Sequence, residues 1–246
     1  MATVIAVTSG KGGTGKTSLV GAVGSCLAAL DHPTLCIDMD VGLRNLDLAL
    51  GLSDRALMDF TDVMEGRCSL ERAVVEHPQI RGLYLLTAPF SLSEQFSESK
   101  LEALLTQARE KFRYILLDSP AGLGEGFRLA ALSCDRAIVV STADASALRD
   151  AQRTVTELGR FKVEDIHLVV NRVQRKLLHQ LGATIDDAMN TAGLPLLGVV
   201  PEDPQVSLAA NQGYPLILRS SKGAAIGYRN IALRIEGRRV PVMRIK

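Results

Sequence analysis

The strongest constraint on this chain lies near its start. A β-branched run, TVIAVTS (3–9), passes directly into the turn SGKGGTGKTS, and an apolar stretch, SLVGAVGSCLAAL, follows it. Gly10, Gly15, Lys16 and Thr17 satisfy the spacing G-x-x-x-x-G-K-[ST]. A chain of this length and ordinary composition meets that pattern by chance roughly once in a hundred. Here the strand before it and the helix after it also supply the required context. The glycines let the backbone approach a ligand closely. The amides of Gly12, Gly13, Gly15, Lys16 and Thr17 then form a concave donor nest at the positive end of a helix, which suits phosphate. Lys16 is placed to reach the β/γ oxygens, and the Thr17 hydroxyl is placed to ligate Mg²⁺. The nucleotide-binding set read from this segment is Lys11, Gly12, Gly13, Thr14, Gly15, Lys16, Thr17 and Ser18.

Further strand-length runs follow at 34–40 (TLCIDMD), 83–89 (LYLLTAP), 114–120 (YILLDSP), 137–143 (AIVVSTA), 167–173 (HLVVNRV) and 196–202 (LLGVVPE). Most are continuously apolar, as expected of strands covered on both faces. Helix-length stretches separate them. SESKLEALLTQAREKF carries Ser99 and Glu102 at capping-box spacing, with Leu101, Leu104, Leu105, Ala108 and Phe112 on one face. ASALRDAQRTVTELG puts Leu148, Ala151, Val155 and Leu158 on one stripe and is expected to end at Gly159. This alternation predicts an α/β fold: a doubly wound, mostly parallel sheet with helices on both faces. The expected organisation is a single domain over 1–236 and a short basic tail over 237–246. In such sheets ligands bind at the carboxyl ends of strands, so the residues just after each run carry the chemistry.

Composition narrows the function classes. With 28 basic against 27 acidic residues, the chain is not built to coat nucleic acid or membranes, and no sequence-specific nucleic-acid partner is expected. Cys26, Cys36, Cys68 and Cys134 form no C-x-x-C pair, and His32, His77, His167 and His179 show no ligand spacing. Nothing resembling a signal peptide precedes the first run, and no apolar run approaches the ~20 residues of a spanning helix. A cytoplasmic protein is the expectation.

Asp38 and Asp40 close the second run, two residues apart, so on a strand they would share a side. One can hold a Mg²⁺-bound water and the other can orient an attacking water; we assign the first task to Asp38 and the second to Asp40. Asp118 ends YILLD, an apolar strand finishing in a carboxylate, and is a second metal-side candidate. Each could instead cap a turn, but a phosphate loop on the first strand favours the functional reading for Asp40 and Asp118. The following loops, VGLRNLDLALGL (41–52) and SPAGLGEGF (119–127), are glycine-bearing and suit segments that respond to a γ-phosphate. For the base, Asn171 offers a donor–acceptor amide that matches adenine. Gln174 stands where a guanine-selective N-K-x-D would need a carboxylate. Arg172, Pro201 and Asp203 complete the base-side set.

Lys11 is unexplained by one nucleotide, because a second ammonium folded onto the same phosphates would repel Lys16. It is either a solvated surface lysine or it points to a second subunit. KGGTGKT resembles the K-G-G-x-G-K-[ST] loop of the MinD/ParA family of deviant Walker A ATPases, in which the extra lysine reaches across a nucleotide-sandwich dimer. DMDVGLRNLDLALGL and DSPAG resemble that family's two switch segments, and GVVPEDPQVSLAANQGYPLIL its late strand and the segment after it. GLRNLD and the NQG-P-IL pattern favour the family's MinD branch. The resemblance implies ATP and Mg²⁺ as ligands and hydrolysis carried by Lys11, Lys16, Thr17, Asp40 and Asp118. It implies a switch and dimer surface that includes Gly42, Asn45, Pro120, Gly122, Ser146, Arg149 and Asp150. It also implies an ATP-dependent homodimer, a MinC-like division inhibitor, a MinE-like or polar regulator, and peripheral association with the inner membrane. One departure stands out. The branch ends in an amphipathic membrane helix, whereas this sequence ends RIEGRRVPVMRIK, with Arg238, Arg239, Arg244 and Lys246 among apolar residues and Pro241 opposing a helix. The expectation is a basic tail packed on the domain, or a weak membrane tether that acts through two copies. Two further classes make other demands: an iron–sulfur carrier ATPase needs paired cysteines, and phosphoryl-transferring small-molecule synthesis needs a substrate pocket.

Overall fold

The computed structural model describes residues 2–91, 97–243 and 245. Arg244 and Lys246 of the basic tail therefore lie outside the described residues. In chain order the strands are β1 (Thr3–Thr8), β2 (Thr34–Asp38), β3 (Val75–Glu76), β4 (Leu83–Leu86), β5 (Tyr114–Asp118), β6 (Arg136–Ser141), β7 (Asp165–Val173) and β8 (Leu196–Pro201). The helices are α1 (Lys16–Ala28), α2 (Leu46–Leu50), α3 (Phe60–Met64), α4 (Leu70–Ala73), α5 (Glu98–Lys111), α6 (Glu125–Ser133), α7 (Ala145–Arg160), α8 (Arg175–Leu181), α9 (Ile185–Ala192), α10 (Pro204–Asn211) and α11 (Ala224–Ile235).

The sheet runs β3-β4-β2-β5-β1-β6-β7-β8. Every pairing is parallel except the two-residue β3 against β4. All of the apolar runs in the sequence became strands, and β3 is an addition to them. The central β1 uses both faces: Ile5 and Val7 pack with α1 and α11, while Val4 and Ala6 pack with Leu101, Leu104 and Leu105 of α5. A third apolar cluster joins Phe127 of α6, Leu148 and Leu158 of α7 and Ala188 of α9 to Val139, Val170 and Val199 on β6, β7 and β8. Helices thus cover both faces, and the carboxyl ends of β1, β2 and β5 are left to form one edge.

Two helix ends differ from expectation. Ser97, not Ser99, caps α5, accepting from the Lys100 amide; Ser97 has the extended backbone (φ −143°) that a cap needs. α7 runs through Gly159 to Arg160, and the left-handed residue beyond it is Lys162 (φ 60°). The face expected for α5 is buried as predicted. On α7, Leu148, Ala151 and Leu158 are buried and Val155 is half-buried.

After α11 the chain turns at 236–237, and the described residues that follow take no regular secondary structure. Arg234 donates to the Val240 carbonyl (2.8 Å) and to the Leu196 and Leu197 carbonyls, clamping the tail to the start of β8. Ile245 packs against the third apolar cluster. Among the described residues no helix is long and apolar enough to cross a membrane.

Candidate functional site

The loop between β1 and α1 is held from several sides. Gly15 stands at φ +89°, and a Cβ there would lie 2.4 Å from Asn171 Nδ2, so only glycine fits for two independent reasons. A Cβ on Gly10 would meet the Asp150 Cβ and carbonyl at 2.6 Å, so the loop's first glycine lets α7 lie directly against it. This places Asp150 behind the loop, where it also pairs with Arg153 (3.7 Å). The Gly122 amide donates to the Ser9 carbonyl (3.2 Å), joining the segment after β5 to the loop. Pro120 is half-buried in that same segment.

Lys16 is buried, and its Nζ donates to Ser9 Oγ (2.9 Å). Burial lowers its pKa from the ordinary lysine value, against the opposing pull of Asp118 and Asp40. Asp118 is 2% exposed, and burial, with the nearby Asp38 charge, pushes its pKa up to about 8. Thr17 hydrogen-bonds to it, yet Asp118 Oδ1 is buried without a hydrogen-bond partner. An orphaned carboxylate oxygen beside a threonine hydroxyl at the mouth of a phosphate nest suits a hydrated Mg²⁺, which takes oxygen ligands and keeps several waters. Among the described residues no group of three or more His, Cys, Asp or Glu side chains could hold a metal. The fit is therefore to an ion completed by phosphate and water, with Thr17 and Asp118 as the protein's share.

Asp38 has an anchoring task besides the one expected of it. Its Oδ1 accepts from the Asp40 amide (2.8 Å) and its Oδ2 from the Leu46 amide (3.1 Å), so its oxygens anchor the loop into α2. β2 ends at Asp38, so this hydrogen bond, and not strand pleating, brings Asp38 and Asp40 together. Burial raises Asp38 to about 6 and also raises Asp40, against the attraction of Lys16. Gly42 donates to the Pro89 carbonyl (3.1 Å), and Asn45 is exposed at the start of α2 with no side-chain cap bond.

These raised values make a pH prediction. Asp38 and Asp118 hold protons in the folded chain at pH values where the unfolded chain, near 3.8, has lost them. The folded state binds more protons across that window, so this pair costs stability as pH rises toward 8. Lys16, whose lowered pKa acts in the opposite sense, offsets part of that cost, so the prediction is the difference between proteins: from about pH 6 to about pH 8.5, Asp118→Asn should lose less melting temperature than wild type. Calorimetric melts of both proteins at the two pH values check it.

Lys11 is partly exposed to solvent, but it is paired. Its Nζ reaches Asp144 Oδ1 (3.2 Å) and donates to Ser146 Oγ (2.9 Å). Asp144 also accepts from the Ala147 amide, capping α7, and from the Thr142 and Ser146 hydroxyls. Burial works against this carboxyl, but those hydrogen bonds, with the one from Lys11, hold it well below the usual range. Asp144 was missed in the sequence because a capping aspartate there has an ordinary explanation. Ser146 and Arg149 are exposed on the same helix.

On the base side, Gly15, Ser18, Asn171, Arg172, Pro201, Asp203 and Tyr228 line one cavity of about 250 Å³. The structure brings the expected set together, and two of its members also hold backbone. Asn171 Nδ2 donates to the Thr14 carbonyl (2.8 Å), and Asp203 caps α10 and α11 through the Gln205 and Ala224 amides. Cys134 sits just before β6, at the opposite end of the strands from the phosphate loop. Burial raises its thiol to about 11.

Comparison with known proteins agrees with this geometry. The family described as the CobQ/CobB/MinD/ParA nucleotide binding domain matches residues 5–216. The septum site-determining protein MinD of Bacillus subtilis is 37% identical over 247 residues, covering 98% of this chain and 92% of the relative. The chain belongs to the MinD/ParA family of P-loop ATPases. Within that family its MinD relatives extend to solved structures. The Aquifex aeolicus MinC:MinD cell division complex superposes with a TM-score of 0.92 at 33% identity, covering 99% of each chain. Pyrococcus horikoshii MinD, solved with Mg-ADP, gives 0.84 at 28% identity, covering 96% of each chain.

Proposed function

We propose that this protein is a MinD-type ATP-driven dimerisation switch that helps to place the division septum. MgATP seats on the loop, two copies close over their nucleotides, and hydrolysis to ADP and phosphate separates them. The observation that carries this reading is the posture of Lys11. It shares a loop with Lys16, yet it is drawn away to Asp144 and Ser146 by an exposed ion pair. Such a pair contributes about 0.2–1 kcal/mol and is readily exchanged for a partner's phosphates.

Each proposed role follows from position. Lys16, cut off from water, offers a strong cation to developing phosphate charge. Thr17 and Asp118 would hold Mg²⁺, which when bound neutralises charge on the phosphate oxygens. Asp40, half-exposed and near Lys16, orients the attacking water; Asp38 keeps the segment around Gly42 and Asn45 in register with it. Pro120 and Gly122 link the γ-phosphate side to the loop. Ser146, Arg149 and neighbouring Asp150 form the α7 part of the dimer surface. Residues 1–236 act as one ATPase unit, followed by the 237–246 tail.

A MinC-like inhibitor is the proposed cargo and a MinE-like or polar protein the proposed regulator. Membrane association would be peripheral and weak, through the exposed Arg239 and Val242 of two paired tails. The Arg234 clamp and the packed Ile245 favour a second reading of the same switch, in which it positions another cargo without touching lipid directly. Flotation with anionic liposomes separates the two. Co-flotation with ATP but not ADP supports the membrane-bound form, and none with either supports the second.

A further inference from the structure

Two consecutive residues of β7 grip two consecutive carbonyls of the phosphate loop. Asn171 Nδ2 donates to the Thr14 carbonyl at 2.8 Å, and an Arg172 guanidinium nitrogen donates to the Gly13 carbonyl at 3.0 Å. All peptide bonds in the described chain are trans, and in a trans peptide the N–H points opposite to the C=O. A carbonyl drawn outward therefore turns its own amide inward. The Gly13 carbonyl shares its peptide with the Thr14 amide, and the Thr14 carbonyl with the Gly15 amide. The Gly15 amide is one of the nest donors, and the Thr14 amide stands next to it in the same loop.

Arg172 reaches this position at a cost. Its backbone lies at φ +54°, a left-handed conformation that few side-chain-bearing residues adopt, at a break in the β7–β8 register between Val170 and Val173. The same guanidinium pairs with Glu202 (2.8 Å), which follows β8 at the base-side cavity. The strained backbone and the carboxylate together aim the guanidinium at the loop.

We infer that Arg172 is a positioning residue for the phosphate nest: by holding the Gly13 carbonyl it aims a loop amide at the phosphates, and through Glu202 it links phosphate affinity to the base-side segment. The inference rests on the nucleotide-binding reading above but assigns Arg172 to the triphosphate instead of the base. Asn171 gives the neighbouring peptide the same treatment from a buried position, so the pair forms a brace across the outside of the loop.

The test compares MgATP, MgGTP and Mg-tripolyphosphate, which has no base, by calorimetry on wild type, Arg172→Ala, Arg172→Lys and Glu202→Gln. Loss of a hydrogen bond from a charged donor to the loop should weaken ATP and tripolyphosphate alike, by about tenfold in Arg172→Ala. The ATP-to-GTP ratio and the melting temperature should stay as in wild type. Lysine should recover only part of the loss, since it cannot bridge Gly13 and Glu202 as the planar fork does. Glu202→Gln should also weaken both ligands, because it loosens the aim of the guanidinium. Tighter binding in Glu202→Gln overturns the inference in favour of direct phosphate contact by Arg172. Loss confined to ATP overturns it in favour of base contact, and no loss in Arg172→Ala overturns it outright. Wild-type protein that binds none of the three ligands overturns the nucleotide-binding reading itself, and this inference with it.

Discussion

Lys11→Ala leaves ATP affinity within about threefold of wild type and abolishes the ATP-dependent dimer. The first half follows from geometry: Lys11 contacts Asp144 and Ser146, while the loop's inner cation is Lys16. The second half follows from symmetry. Breaking a buried charge pair from one side costs about 2–5 kcal/mol, and a two-fold dimer loses two such pairs. The dimer should therefore weaken by roughly a thousandfold or more, read by light scattering with ATP. Asp144→Asn provides the opposite sign. It releases Lys11 from an ion pair with side chains 36% and 45% exposed, a small constraint, so dimers should form as well as in wild type or a few-fold better. A Lys11→Ala protein that still dimerises with ATP contradicts the proposed role.

Asp40→Ala should keep ATP and stop spending it. Orienting the attacking water in the manner of a general base contributes roughly 10²–10⁴ to rate, so turnover should fall by at least about a hundredfold. Asp40 takes no hydrogen bond from Lys16 or the loop's glycines, and the anchor beneath it is Asp38, which binds through the backbone amide of residue 40. That amide survives the substitution, so the segment should keep its path and ATP affinity should change little. Single-turnover hydrolysis together with equilibrium binding reads both quantities. Lost binding with an unchanged rate per bound ATP would assign Asp40 to holding the ligand.

The sheet was legible because its strands are buried on both faces and so read as unbroken apolar runs, such as YILLD and AIVVS. The loop was legible because close backbone approach to phosphate permits few residue types. What escaped depended on contacts between distant segments. Val75–Glu76 is too short to carry a period and exists as a strand only because β4 offers it an edge. Two serines two residues apart compete to cap α5, and the backbone entering the helix chose Ser97. Asp144 reads locally as a cap, which it is. Its bond to Lys11 arises because β6 lies beside β1, so that the loops leaving their carboxyl ends meet. Asp38 reads from its strand position as a holder of a metal-bound water; strand position cannot reveal that its oxygens also accept amides that the turn after β2 folds back upon it.

The most direct test is the position of the Lys11 ammonium in a structure of the Asp40→Ala protein bound to MgATP. The account predicts two chains face to face, with each Lys11 released from Asp144 and Ser146 and lying on the phosphates held by the other chain. An ATP-loaded protein that stays single, with Lys11 still paired to its own Asp144, contradicts it.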